Sequence, residues 1–309
     1  MNIQNDVIAY LQVHAQLLVR TPSPHPDLWQ GTLGQALVSL YVANALGDEA
    51  LFEQGFGYLS TCIEAIYAGQ YPATINATIA HGLTGLGFVL HSLIEDGLIE
   101  NDLTSLLTDL DSFVYQGTRK YLQQSNFDYW RGGLGGLYFL CQRTQKRPEL
   151  RDKVTQLVKI ALKIKQIPLE TGVVWLRIHD MSIARHKTEK IILQIASSLT
   201  ATDAKTSYFL QQVSKLFPNQ SESLFLPNPN QEFQKERLVS GLEEQCLYCQ
   251  RLYALTGSAI YQNTYQAGIK ALISSSPSSQ IGFMKSLKGT LLLLAAYLHP
   301  KAVQWQQML

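Results

Sequence analysis

Charge is scarce in this chain of 309 residues and almost balanced: Asp, Glu, Lys and Arg together make up 16% of it, and the formal net charge is +1. Without a Lys/Arg run, so neutral a chain sets up no field able to gather nucleic acid or an anionic membrane, and neither is expected as a partner. Cysteine is also rare. Cys62, Cys141, Cys246 and Cys249 are too few to form a disulfide scaffold at this length, and no charged-then-apolar leader precedes Tyr10, so a cytoplasmic protein is expected. Long apolar runs are missing too: stretches such as Thr290 to Leu298 fall far short of the roughly 20 residues needed to span a bilayer. Alternating strand patterns are scarce. Only Gly172 to Ile178 reads as extended, which makes the fold class all-α.

What the chain does have is one short phrase, Gly-x-x-Gly opening an apolar helix, repeated about six times. It reads Gly31-Thr32-Leu33-Gly34, Gly82-Leu83-Thr84-Gly85 and Gly132-Gly133-Leu134-Gly135. Degraded copies follow at Asp180-Met181-Ser182-Ile183, Gly241-Leu242-Glu243-Glu244 and Ser286-Leu287-Lys288-Gly289. A spacing of roughly 45 to 60 residues signals a repeat architecture, and contiguous repeats argue for a single domain over 1–309. Each repeat predicts a helical hairpin. In the first, apolar positions from Leu37 to Leu46 are stopped by Gly47-Asp48 and followed by a helix through Leu51, Phe52 and Ile63. Later units break at Asp96-Gly97, near Arg147-Pro148 and at Thr256-Gly257, while Phe217 to Glu236 reads as the clearest loop.

The first helix of each hairpin is apolar nearly all round and the second is mixed, as expected of an inner ring of helices within an outer one. Glycine at the head of the inner helices would allow close backbone approach, and free amides there would point into a central cavity and add positive potential. Cys246-Leu247-Tyr248-Cys249 has the spacing of a metal or redox knuckle. It lies inside a predicted inner helix with no second pair, so core packing is expected of it over ligation, as it is of Cys62 and Cys141.

Taken in order, Gly31 to Leu37, Ala80 to Gly87, Phe127 to Leu140, Arg251 to Gly257 and a tail ending near Trp305 resemble the lanthionine synthetase C-like proteins, the cyclases of lanthipeptide biosynthesis. The resemblance implies an (α/α) toroid, a double ring of helical hairpins with the active site at one mouth. It also implies a zinc held by two cysteines and a histidine, in Trp-Cys-x-Gly and Cys-His-Gly phrases, that would lower the pKa of a substrate thiol for addition to a dehydrated residue. Neither phrase is present. Where Cys-His-Gly would stand the chain reads Val239-Ser240-Gly241, and no cysteine adjoins a tryptophan. No metal or other cofactor is therefore expected. The segment from His179 to Gly241 is short enough that one hairpin of the usual set is expected to be missing, which leaves room for a homodimer that covers the exposed inner helices.

By the same resemblance Asp128 and His179 match the family's acid/base aspartate and histidine. A helix cap is the alternative for Asp128, and a hydrogen-bonded structural histidine, paired with Asp180 or Asp128, the alternative for His179. His81, Trp130, Arg131, Trp175 and Arg177 fall near the predicted helix mouths and form a candidate patch for gripping an extended peptide or an acidic leader. The leading expectation is a zinc-less pseudoenzyme of a modified-peptide pathway, binding a precursor peptide or another modification enzyme. A metal-independent cyclase using Asp128 and His179, and more remotely a toroidal glycosidase or lyase with carboxylates among Asp128, Asp180, Glu243 and Glu244, are the enzymatic alternatives.

Overall fold

Wherever apolar residues cover a whole helix, the helix should be surrounded, and where they form a stripe, it should lie against one face. The computed structural model follows that division. It describes residues 3–20, 23, 25–68, 76–100, 104–163, 171–181, 183–199, 204–218, 242–275, 287–301 and 305–306. Among the described residues there are thirteen α-helices and no strand: α1 (Ile3–Arg20), α2 (Thr32–Leu46), α3 (Glu49–Tyr67), α4 (Leu83–Glu95), α5 (Thr104–Gln123), α6 (Gly133–Arg143) and α7 (Arg151–Ala161). They continue as α8 (Gly172–Asp180), α9 (Arg185–Ser197), α10 (Ala204–Leu216), α11 (Leu242–Thr256), α12 (Ala259–Ser274) and α13 (Leu287–Leu298).

In α2 every residue from Leu33 to Ala43 is buried, and in α6 every residue from Gly133 to Arg143. The helix that follows α6 is different: α7 buries Val154, Leu157, Val158 and Ala161, the i, i+3, i+4, i+7 stripe of a helix packed on one side. The predicted stops are also present. Gly47, Gly97 and Gly257 adopt left-handed φ of 66°, 68° and 68° just past α2, α4 and α11, a conformation that costs a side-chain-bearing residue free energy and glycine almost none.

Two sequence expectations give way. Gly172 to Ile178 is not extended but forms most of α8, with Gly172, Val173, Val174, Trp175, Leu176, Ile178 and His179 all buried. The preference of Val and Trp for strands is worth at most about 1 kcal/mol per residue, and burial on all sides overrides it. The phrase at Asp180 consequently closes a helix instead of opening one, since the fourth glycine start is Gly172, whose Cβ would lie 2.8 Å from the Phe209 ring. Gly241 and Ser286 lie outside the described residues, with α11 and α13 beginning directly after them, as does most of the predicted loop from 217 to 236.

The chain divides into two compact units, one made of residues 1–110 and 269–309 and the other of 111–268. In the first, α2 packs against α1, α3, α4 and α13. Here the Tyr41 hydroxyl donates to Asp96 Oδ2 at 2.6 Å, and Lys288 Nζ at the start of α13 donates to the carbonyl of Gly31 at 3.1 Å. In the second, α6 meets α7 and α8, α8 meets α9 and α10, and α10 meets α11. A buried ion pair pins α5 to α6: Asp111 receives Arg143 Nε at 3.0 Å and Arg147 Nη1 at 3.0 Å.

Candidate functional site

The segment before each of α2, α4 and α6 is built to one plan. The carbonyls of His25, Asn76 and Asn126 accept from the amides of Thr32, Leu83 and Gly133, seven residues on, at 2.7, 3.0 and 2.9 Å. Two residues after the loop's start comes a side chain that ties its far end. Asp27 Oδ1 accepts from the amides of Gln30 and Gly31, Thr78 Oγ1 from that of His81, and Asp128 Oδ1 from that of Arg131. The glycine that ends each loop has an ordinary extended φ, from −94° to −134°. Its small size is required by proximity: a Cβ on Gly82 would fall 2.0 Å from the Asn76 carbonyl oxygen, and one on Gly31 2.3 Å from the Asp27 backbone.

These loops answer the question of the free amides. The first amides of α2, α4 and α6 are spent on the carbonyls of the preceding loop, as are those of Gly34 and Gly85, which donate to Asp27 and Thr78. They are not directed at a ligand, so the positive potential expected there is compensated locally.

In this common register Asp27, Thr78 and Asp128 are equivalent, as are Gln30, His81 and Arg131. Asp128 is exposed and its Oδ1 closes the loop ahead of the helix; the cap position of α6 is Gly132, which has no side-chain cap bond, so Asp128 ties a turn and does not cap the helix. His81 is half-exposed and meets Asp27 Oδ2 at 3.2 Å, while the Trp29 amide donates to the Ala80 carbonyl at 3.1 Å, so the first two loops clasp each other. The position just after Asp27, Thr78 and Asp128 holds Leu28, Ile79 and Tyr129. Leu28 and Ile79 are 1% and 0% exposed, whereas Tyr129 brings a phenol to that inward position.

His179 lies on α8, buried, its ring edge-on to Phe217 at 5.3 Å and its Nδ1 3.9 Å from Asp180 Oδ1. Burial, and then the nearby Arg185, push its pKa down, so the ring is neutral at pH 7. Among the described residues no hydrogen bond or ion pair joins it to Asp128. Trp175, 1% exposed, is a core residue, whereas Arg131 is exposed and Trp130 half-buried.

Arg177 has the richest surroundings of the patch. Its guanidinium stands 5.6 Å from the Tyr138 ring centre, and Tyr138 is in turn 6.4 Å from Tyr129, whose ring is edge-on to Trp130 at 5.4 Å. Burial pulls the Arg177 pKa down, and the phenols of Tyr138, Tyr248, Tyr129 and Tyr208 more than offset it. Tyr129, Tyr138 and Arg251 are not among the candidate residues that the sequence motifs single out. The available signal was the loop register, in which an inward aliphatic position becomes tyrosine.

The cysteines are a poor donor set for zinc. All four are buried; desolvation pushes the thiols of Cys62 and Cys249 up to about 12 and those of Cys141 and Cys246 higher still. Cys246 Sγ is closed off by α12, since a Cβ on Gly268 would lie 2.2 Å from it. No three His, Cys, Asp or Glu side chains among the described residues are placed to hold a metal ion, and Val239 to Gly241 lie outside them. The described residues offer no three-ligand set of the kind the resemblance implies for zinc.

No family model matches the chain, and no curated protein matches it. Among solved structures nisin cyclase does, with a TM-score of 0.71 and 10% sequence identity over 96% of each chain. The expected (α/α) toroid is therefore shown at the level of fold: this chain has the lanthionine synthetase C-like fold that nisin cyclase has.

Proposed function

We propose that this is a zinc-less protein of a ribosomal modified-peptide pathway, cytoplasmic, that binds a precursor peptide or a modification enzyme and has given up thioether formation. The observation that carries the reading is the pairing of a cyclase-like fold with four cysteines whose thiols are buried and held toward the neutral form by desolvation. A cyclase has to bring a peptide thiol to its electrophile as thiolate, and an unassisted thiol near pKa 8.5 is only a few per cent ionised at neutral pH. The half-buried Trp130 and Arg177 and the exposed Arg131 offer aromatic and guanidinium groups for a peptide, the combination that dominates binding surfaces.

Zinc titrated into chelator-treated protein, followed by calorimetry, is expected to give no tight stoichiometric site. One zinc per chain held below micromolar concentration would overturn the zinc-less reading. In parallel, a peptide carrying one cysteine and one dehydroalanine should lose its free thiol no faster with the protein than without it. Acceleration abolished by Asp128→Ala or His179→Ala would instead establish metal-independent cyclisation.

A further inference from the structure

Helix α1 buries Val7, Leu11, Ala15 and Val19, about one residue per turn along a single side. The opposite side is the unusual one. From Val7 to Val19 the helix carries no Asp, Glu, Lys or Arg, and at 3.6 residues per turn Asp6, Tyr10, Val13, Leu17 and Arg20 line up along the face turned away from the buried stripe. Val13 is 59% exposed and Leu17 51%, the two most exposed large apolar side chains among the described residues. The Tyr10 ring stands beside them, 4.1 Å from that of His14, whose pKa is pulled down by burial, so His14 adds no charge to the face at pH 7.

Such a face selects its partner by where its charges stand. Asp6 in the first turn and Arg20 in the last are placed symmetrically about Val13, each about 10 Å from it along the helix axis. No ion pair among the described residues takes up either charge. A second copy of α1 laid antiparallel across a two-fold axis at Val13 brings Asp6 of each copy level with Arg20 of the other, at both ends, and sets Val13 against its own counterpart between them. A parallel pair would put Asp6 beside Asp6 and Arg20 beside Arg20, which repulsion opposes. Near a two-fold axis every residue meets its own copy, so a charge there is opposed by itself, and the stretch from Val7 to Val19 places none. Exposed ion pairs add little stability; here they set the direction of pairing, while Val13, Leu17 and Tyr10 supply the apolar area removed from water.

We infer that the outer face of α1 is a homodimer contact, in which two copies of this chain pair antiparallel through Val13 and Leu17, with Asp6 and Arg20 joined at either end. The contact does not rest on the proposed function above. The buried stripe keeps α1 packed on α2, α3 and α13, so pairing uses only the side that those helices leave open. With one helix from each copy the interface is smaller than that of a permanent dimer, and monomer and dimer exchange in the micromolar range.

The test is sedimentation equilibrium of the full chain at pH 7 and low ionic strength, from about 1 µM to about 300 µM. Wild type is expected to pass from monomer to dimer over that range. Val13→Asp, which sets two carboxylates face to face at the axis, is expected to weaken the dimer at least ten-fold, and Lys159→Glu on the exposed side of α7 to leave it unchanged. Asp6→Arg and Arg20→Glu, each alone, should weaken it several-fold, and the two together should recover most of that loss. Such recovery comes only from the other copy, because Asp6 and Arg20 stand about 21 Å apart on one helix and the double exchange opposes the helix dipole at both ends. A chain that stays monomeric throughout overturns the second copy as the occupant of this face, and a dimer indifferent to Val13→Asp overturns the face as the contact. A dimer weakened by Val13→Asp but not restored by the double exchange overturns the antiparallel pairing. Val13 is exposed, so its substitution leaves the core intact; the charge exchange decides the matter even if Val13→Asp fails to fold.

Discussion

Lys288 shows how much one buried charge can govern. It is 8% exposed, and burial brings its pKa from 10.5 down to about 8, with Asp27 opposing the fall. The unfolded chain keeps the ordinary value, so between about pH 8 and 10.5 it binds more protons than the folded chain, and stability rises with pH over that window. Buried tyrosines such as Tyr41 have phenol pKa values raised by desolvation, and their contribution runs the other way, lost only above pH 10. Urea denaturation from pH 7.5 to 9.5 is therefore expected to show wild type gaining on Lys288→Met by up to about 1.4 kcal/mol per pH unit. Parallel pH profiles for the two proteins would show that Lys288 does not titrate there. The same residue was legible in the sequence only as part of a degraded glycine phrase. Its bonds to the Gly31 and Trp29 carbonyls span more than 250 positions of chain, and no local pattern encodes them.

At the scale of elements, the joint between α5 and α6 depends on Asp111, 1% exposed and shared by Arg143 and Arg147. Removing a carboxylate from a buried pair leaves the other charge stranded, a cost of about 3–5 kcal/mol. Asp111→Ala is expected to lower the urea midpoint by that measure, while Glu149→Ala, at the exposed end of the same cluster, leaves it little changed because solvent screens that pair. Helix existence and hairpin stops could be read directly, because all-round apolar helices and left-handed glycines at Gly47, Gly97 and Gly257 are local signals. The state of Gly172 to Ile178 could not, because a short apolar run rich in β-branched residues suits a strand and a buried helix equally well. Only the surrounding Phe209 and α9 decide it.

For the molecule as a whole, residues far apart in the chain build one unit: α13 packs against both α1 and α2, and Trp305 is 0% exposed. Trp305→Ala is expected to cost about 3–5 kcal/mol by the cavity it leaves, measured as a loss of urea midpoint, and Trp130→Ala much less, since its ring is half-buried. The sequence by itself determined that the chain is all-α, that it is repeated in hairpins, which helices are surrounded, and which cyclase-like fold it resembles. The first three follow from periodicity and from glycine's unique conformational range, both carried by neighbouring residues, and the resemblance from the order of the glycine phrases along the chain. Tertiary structure alone decided that the helix-opening amides are spent on their own loops, that Asp128 closes a turn repeated at Asp27 and Thr78, and that Arg177 lies against the Tyr138 ring. Each of those depends on where a side chain or carbonyl from another turn of the chain comes to rest, and packing fixes that only when the helices have assembled.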